Sequence, residues 1–262
     1  MKLITWNINS IRPRLHLIER MVAAENPDLI CLQETKVEDG KFPLEPLRAL
    51  GFAHIELFGM KAYHGVAILS RVPLANHARH YWCDIDDARH QSVTLPGGIE
   101  LHNVYLPSGG DEPDPEINPK FAHKLRFMTE QAAWWATQDP ARLRILVGDL
   151  NVAPLETDVW SHKQLLKVVS HTPIEVEHFG RMQAAHRWVD AVRARIDPAE
   201  PLFTWWSYRA RDWRASNRGR RLDHIWITPP LAPKVTDARV LADARDWEKA
   251  SDHAPVAIEL DA

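Results

Sequence analysis

The chain has 262 residues, 45% hydrophobic and 26% charged, which is enough ordinary globular composition for one sizeable core. No apolar run is long enough to span a bilayer, and Lys2-Leu3-Ile4-Thr5-Trp6 carries no small-residue cleavage site, so neither a membrane segment nor a signal peptide is expected. A net charge of −3 does not announce a nucleic-acid-binding protein, yet it leaves room for a basic groove beside an acidic site, and Cys31 and Cys83 have no metal or redox spacing and fit a reduced, cytoplasmic setting.

Leu3 to Ile8 reads as a strand that ends at Asn7 and Asn9. Leu15 to Glu25 has helical spacing, with Leu15, Ile18 and Val22 on one side, and Asn26-Pro27-Asp28 breaks it. Leu29 to Leu32 is a second buried strand, running into Gln33-Glu34-Thr35-Lys36. A short proline-rich helix precedes the segments Phe52 to Phe58 and Gly65 to Ser70. Ser92 to Leu95 and Ile99 to Leu106 read as a hairpin across Pro96-Gly97-Gly98. Pro107 to Pro119 is loop-like, and Phe121 to Thr137 is helical in pattern. Ile145 to Gly148 is a short apolar run, hence a buried strand, and it stops on Asp149 and Asn151. Trp160 to Arg195 predicts two helices with a break near His171-Thr172-Pro173. Phe203 to Trp206 is strand-like, and the run Tyr208 to Arg221 is polar and rich in arginine. Leu222 to Thr228, Val235 to Leu241 and Val256 to Leu260 are strands, the last opened by Asp252-His253-Ala254-Pro255. With no internal repeat or long linker, residues 1–262 are expected to form one α/β domain of two packed sheets with helices outside.

Several of these strands end or begin on a residue useful to metal or phosphate chemistry: Asn7, Glu34, Tyr105, Asp149 with Asn151, Asp223, and Asp252-His253. Singly, each is equally a turn or surface residue. Their recurrence at one kind of position predicts a carboxylate-amide cluster with one imidazole at a common rim. Such oxygen-rich donors suit a hard divalent cation, and the set lacks the His or Cys crowding of a tight zinc site. Neither a G-x-x-x-x-G-K-[ST] nor a G-x-G-x-x-G loop is present, so attack by water on a phosphate ester is favoured over nucleotide hydrolysis on a P-loop.

At these residues the sequence resembles the exonuclease III family of apurinic/apyrimidinic endonucleases. The matching stretches are Trp6-Asn7-Ile8-Asn9, Leu32 to Lys36, Tyr105-Leu106-Pro107, Gly148 to Asn151, Phe203 to Arg209, Asn217-Arg218-Gly219, Leu222-Asp223 and Ser251 to Val256. The resemblance implies a four-layered α/β sandwich, with two central mixed β-sheets flanked by helices. It implies Mg²⁺ or Mn²⁺ at Glu34, with Asn7 and Asp252 lining the metal region and Asp149 and Asn151 reaching it. By analogy Asp149 handles the proton of the attacking water or of the leaving oxygen, and Asn151 helps hold the phosphoryl oxygens. His253, oriented by Asp223, would contact the scissile phosphate, and Tyr105 would donate a hydrogen bond to it. His253 as the general base remains an alternative at this stage. Three stretches depart from the family pattern: residues 154 to 180, Ser108-Gly109-Gly110, and Asp87-Ala88-Arg89-His90.

Arg209, Arg211, Arg214, Arg218, Arg220 and Arg221 crowd one stretch and interleave with Trp205, Trp206, Tyr208 and Trp213. Arginines can pair with backbone phosphates, and aromatic faces can stack on a base or cover an exposed sugar. Trp205 and Trp206 face opposite ways on a strand, so one of them is expected in the core. Asn217, Arg218 and Lys120 join Trp205 as expected substrate contacts, and Lys124 extends the basic surface or is an ordinary helix-face charge. An abasic nucleotide is cheaper to extrude than a normal one, and a pocket walled by Trp205 would accept its bare sugar. The resulting expectation is a monomeric, metal-dependent DNA-repair nuclease. Its substrate is duplex DNA with abasic sites or 3′ blocks, incised 5′ to abasic sites, with 3′→5′ exonuclease and 3′-phosphatase or phosphodiesterase activity. A lipid or inositol phosphatase and a non-catalytic nucleic-acid-binding regulator are the competing readings.

Overall fold

The computed structural model describes residues 1–210 and 212–261, so Arg211 of the basic stretch lies outside the described residues. In chain order the strands are β1 (Lys2–Asn7), β2 (Leu29–Gln33), β3 (His54–Phe58), β4 (Val66–Ser70), β5 (Ala75–Trp82), β6 (Ile85–Thr94), β7 (Glu100–Tyr105), β8 (Arg144–Asp149) and β9 (Val189–Asp190). They continue as β10 (Trp205–Trp206), β11 (Gly219–Arg220), β12 (Asp223–Ile227), β13 (Val235–Val240) and β14 (Val256–Leu260). The helices are α1 (Leu15–Glu25), α2 (Leu44–Ala49), α3 (Pro119–Ala136), α4 (His162–Leu165), α5 (Pro173–Ala185) and α6 (Trp213–Ser216).

Among the described residues one six-stranded sheet runs β13-β14-β1-β2-β4-β3 and a second runs β5-β6-β7-β8-β12-β9, with β10 and β11 as a separate ribbon. Both sheets are mixed: β1 and β2 are parallel, as are β7 and β8, while the neighbouring pairs are antiparallel. Strand alternation then sorts the core. Leu3, Leu29, Cys31 and Ile68 meet Leu101, Ile145, Val147 and Ile225 between the sheets. The alternate residues Ile4, Trp6, Ile30 and Leu32 face outward onto Leu17, Ile18 and Met21 of α1. On the other side Val104, Leu146 and Trp226 face Phe121, Met128, Phe179 and Met182 of α3 and α5. The result is the expected four-layered α/β sandwich.

Three departures from the sequence reading have physical causes. β5 is an edge strand whose residues are mostly exposed or half-exposed, so ANHARHYW carries no apolar alternation to betray it. The hairpin across Pro96-Gly97-Gly98 is present, but β6 begins at Ile85, and its early part gives no apolar signal because polar Asp87, Arg89, His90 and Gln91 are buried on its two faces. Residues 160–195 hold only a four-residue helix, then α5, then β9 in place of a second long helix. α5 starts where the break was expected, because Thr172 and Glu175 form a capping box around Pro173.

Two features fix the ends of β7 and β8. Gly148 has φ +147, and a Cβ there would lie 1.8 Å from the Val104 carbonyl oxygen, so no larger residue can hold β8 this close to β7. Lys124 of α3 is fully buried and paired with the equally buried Glu175. Its ammonium also donates to Asn151 O at 2.7 Å and Ser108 O at 3.2 Å, while Glu175 accepts from the Ser170 and Thr172 amides. One ion pair therefore ties together the loops after β7 and β8 and the start of α5. Lys124 is thus no part of a basic surface. Breaking a buried pair strands the remaining charge. Lys124→Met should lose roughly 3–5 kcal/mol in urea unfolding. Lys124→Met with Glu175→Gln, which removes the charge and keeps one acceptor oxygen for the Ser170 or Thr172 amide, should regain part of that. A single variant as stable as the parent would contradict the clamp.

Candidate active site

Strand register assembles the site. Tyr105, Asp149 and Asp223 stand side by side at the ends of β7, β8 and β12, and Asn7 and Gln33 stand side by side at the ends of β1 and β2. Ile145 and Val147 pack between the sheets, so Asp149, two residues on, points into the same gap. The inter-sheet layer is apolar along its length and turns polar at this rim.

Asn7 joins the two sheets. Its amide donates to Glu34 Oε1 at 2.9 Å and to Asp149 Oδ2 at 2.8 Å, while its carbonyl accepts from the Asn9 N–H at 3.0 Å. Asn7 therefore presents hydrogens, not an oxygen, to the carboxylates. The Tyr105 hydroxyl donates to Glu34 Oε1 at 2.9 Å, and the Lys36 ammonium lies 2.7 Å from Glu34 Oε2. His253 Nδ1–H donates to Asp223 Oδ2 at 2.9 Å, which leaves Nε2 facing Asp149 Oδ2 at 3.7 Å. Thr204 donates its hydroxyl to the same Asp223 oxygen at 2.6 Å. Asp252 accepts from Asn9 Nδ2 at 3.0 Å and from Trp205 Nε1 at 2.9 Å. Asn151 fixes Asp149 through its backbone N–H, 3.0 Å from Oδ1, and its own amide donates to Leu106 O. The His253 segment is held to β1 by Ser251, whose hydroxyl donates to Asn7 O at 2.6 Å, and by Trp6 Nε1, which donates to His253 O at 3.0 Å. Asn9, Glu34, Lys36 and Asn151 all take positive φ, which concentrates backbone strain at this rim.

Burial and charge set the protonation states. Burial pushes Asp149 up, and despite the opposing charge of His253 its carboxyl is raised to about 7. Burial alone would pull His253 down, but the charges of Asp223 and Asp149 outweigh it and raise the imidazole to about 10. Burial also pushes Glu34 up, yet the Lys36 charge and the hydrogen bonds from Asn7 and Lys36 hold it below the usual carboxylate value. Tyr105 is pushed well above its ordinary value by burial and by Glu34 and Asp149, so it stays a neutral donor. The arrangement offers a carboxyl poised near neutrality, a charged imidazole and a neutral phenol around one opening, which is the equipment for displacement at an anionic ester.

That opening is a cavity of about 650 Å³ lined by Glu34, Tyr105, Asp149, Asn151, Asp252 and His253 on one side. Trp160, Val168, Val169, Ser170, Trp205, Arg218 and Arg220 line the rest. Asn7 and Asp223 lie directly behind. Trp205 is half-buried in the wall, whereas Trp206 is 4% exposed and belongs to the core. Two expected substrate contacts are not brought into the lining. Lys120 is exposed at the start of α3, and the Asn217 carbonyl is turned to accept from Trp206 Nε1 at 3.1 Å. The arginine stretch also divides: Arg214 pairs with Asp243 and Asp246, and buried Arg221 pairs with Asp158 and Asp190, so neither is free for a substrate. Asp87 and Arg89 form a buried pair, and Arg89 stacks 4.9 Å over the Tyr105 ring instead of forming a loop contact. Sequence reasoning missed Thr204, Ser251 and the wall from Trp160 to Ser170. Thr204 and Ser251 sit inside the matched stretches, but nothing in the wall segment signals its place.

Glu34 and Asp252 offer carboxylate oxygens to the cavity, which suits a hard divalent cation that displaces Lys36 from Glu34. The ligating atoms of Asp149, Asp223 and His253 lie within 4.8 Å of one another beside them. A second group of ligating side chains, His80, His90 and His102, lies on the second sheet. There Trp82 Nε1–H donates to His90 Nδ1, His90 Nε2–H to His102 Nδ1, and His102 Nε2–H to Glu100, so the His90 and His102 nitrogens are satisfied without an ion.

A family model described as the Endonuclease/Exonuclease/phosphatase family matches residues 4–253. An exodeoxyribonuclease III from Haemophilus influenzae is 31% identical over 99% of this chain and 100% of its own length. An exodeoxyribonuclease from Bacillus subtilis is 29% identical over 98% of each. Among solved structures, an AP endonuclease from Archaeoglobus fulgidus superposes with a TM-score of 0.91 at 31% identity, covering all of both chains. A 3′ phosphatase from Neisseria bound to a product DNA hairpin gives 0.91 at 29% identity, again covering 100% of both chains.

The Asp223–His253 pair has a direct test in metal-free protein. Because the folded-state value is raised above the ordinary imidazole value of 6.5, the pair stabilises the fold fully below that pH, and the contribution is lost as pH rises through about 10. Imidazole resonances of His253 should show a charged ring through neutral pH, and Asp223→Asn should lower the transition by about 1 unit or more. A ring that titrates near its ordinary value in both proteins would contradict the pairing.

Proposed function

The chain belongs to the endonuclease/exonuclease/phosphatase family, on its exonuclease III branch, and from that premise we propose that it incises duplex DNA 5′ to abasic sites and clears blocked 3′ ends. It is a hydrolytic nuclease of DNA repair. The observation that carries the finer reading is the Asn7-linked cluster of Glu34, Asp149 and His253 inside one cavity edged by arginines. Among the described residues no helix is long and apolar enough to cross a membrane. We further infer a single domain acting as a cytoplasmic monomer.

Asp149 takes a proton from the attacking water, for which a carboxyl raised to about 7 is suited. His253, held by Asp223 at 2.9 Å and charged at neutral pH, donates from Nε2 to a phosphoryl oxygen and does not act as the base. Tyr105 keeps its single proton, which it gives to Glu34 here and would turn to a phosphoryl oxygen when a cation takes that carboxylate, and Asn151 offers its side-chain carbonyl at the cavity wall. The wall of Trp160, Val168 and Trp205 excludes water from the group beyond the phosphorus. A divalent cation, Mg²⁺ or Mn²⁺, bound at Glu34 with Asp252 close by would neutralise charge gathering on the phosphoryl oxygens. Arg209 and Arg218, exposed at the cavity mouth, meet the DNA backbone.

An end-labelled duplex with one tetrahydrofuran abasic analogue tests this reading. Mg²⁺ should yield a single nick 5′ to the analogue, and chelator should abolish it. Tight binding with no nick under either condition would refute catalysis. Glu34→Ala should cut the rate at least about a hundredfold and raise the Mg²⁺ concentration needed for half-maximal rate. An unaltered metal dependence would remove Glu34 as a ligand. Binding should also weaken steeply with salt, since phosphate contacts release counterions, and a flat response would exclude backbone tracking by the arginines.

A further inference from the structure

Arg220 differs from the other described arginines of its stretch. Arg214 and Arg221 have carboxylate partners, and Arg209 and Arg218 are exposed. Arg220 is half-buried in the cavity wall, and no carboxylate among the described residues lies within ion-pair distance of it. Its Nη1 donates to Val169 O at 2.8 Å and to Ser170 Oγ at 2.9 Å, while its Nε is buried without a partner. The guanidinium lies 5.3 Å from the Trp205 ring centre, and the two residues face each other in the β10–β11 ribbon. Burial lowers the proton affinity of Arg220 and the charge of Glu175 opposes that, but the Glu175 oxygens are already taken by Lys124, Thr172 and the Ser170 amide. Ser170 itself is held at φ +87, a strained conformation for a residue with a side chain, and its hydroxyl is one of the groups that aim Arg220.

A buried-edge cation without a counterion is unfavourable unless an anion arrives. The neutral sugar of an abasic site supplies none. We propose that Arg220 forms an anion subsite beside the reacting phosphorus, selecting 3′-terminal remnants that carry their own negative charge. This rests on the nuclease reading above and goes beyond it by ranking the substrates. A terminal phosphate monoester qualifies because it carries more charge than a diester, and a phosphoglycolate qualifies through its carboxylate. The reaction is the same in each case. The water oxygen bonds to phosphorus, the bond from phosphorus to the 3′ oxygen breaks, and that oxygen takes up the proton the water gave up. The products are a 3′-hydroxyl end and free phosphate or phosphoglycolate.

The test compares kcat/KM on three duplexes: one with a 3′-phosphate, one with a 3′-phosphoglycolate and one with an internal tetrahydrofuran. Arg220→Gln removes the charge and shortens the side chain while leaving an amide donor in the wall, and Arg220→Lys restores charge without the fork. For Arg220→Gln the ratio of each anionic substrate to tetrahydrofuran should fall roughly tenfold or more, with Arg220→Lys between it and the parent. A ratio that falls for one anionic end only assigns the subsite to that source. Equal losses on all three substrates would make Arg220 a structural or general DNA contact and overturn the subsite. Unchanged kinetics would overturn it too. A parent protein inactive on all three with Mg²⁺ would instead remove the nuclease reading, and the subsite with it.

Discussion

The bond that the rest of the structure depends on is the pair of hydrogen bonds from the Asn7 amide to Glu34 and Asp149. Asn7 and Glu34 belong to the first sheet and its loop, and Asp149 to the second. Two carboxylates on facing sheets would repel across a dry gap, and an amide donor between them is the least costly way to hold both. The same gap is filled by Leu3, Cys31, Ile145 and Val147 a few residues earlier. Strand alternation makes this automatic: whatever side chain follows the core residues by two positions must enter the layer between the sheets. A buried polar step lies between core and rim, where Gln33 donates to Asn103 at 2.7 Å and Asn103 donates to Leu32 O and Ala67 O. The rim is thus the solvated end of the core, and its chemistry follows from where the strands stop.

Charge at the rim is sorted by partner more than by type. His253 is charged because Asp223 stands behind it, and Asp223 is in turn held by Thr204. Asp149 has Asn7 and the Asn151 backbone N–H as donors, but its burial, and then the charges of Asp223 and Glu34, raise its proton affinity. Further out, Arg193 and Arg221 converge on buried Asp158, and Arg221 also reaches Asp190. These pairs pin the segment after β8 against β9 and β12, which brings Trp160 to the cavity wall. Their function is to place a wall, although in the sequence they look like the arginines that meet a substrate.

This explains what could be read from the sequence. The polar residues ending β1, β7 and β8 were legible, because a period of two needs only neighbouring residues to interpret. That one of Trp205 and Trp206 enters the core followed from the same rule, while which of them does so was decided by the packing that buries Trp206 and leaves Trp205 on the cavity. The fates of Lys124, Arg220 and Arg221 were not legible. Each depends on a partner 31 to 63 residues away or on the absence of one: Glu175 is 51 positions from Lys124, and Asp158 and Asp190 are 63 and 31 from Arg221. β5 and the wall from Trp160 to Ser170 were hidden for a related reason. An edge strand and a loop held by ion pairs need no apolar periodicity.

The central claim is that the pit joined by Asn7 is where cation and phosphate meet. The most direct measurement is an anomalous difference map from crystals grown with Mn²⁺ and a nicked abasic-analogue duplex. The account predicts the strongest peak within about 2.5 Å of a Glu34 carboxylate oxygen, a coordination distance for such ions, with the product phosphate between it and His253. A peak at the His80, His90 and His102 cluster, with Glu34 still paired only to Lys36 and the phosphate lying elsewhere, would contradict it.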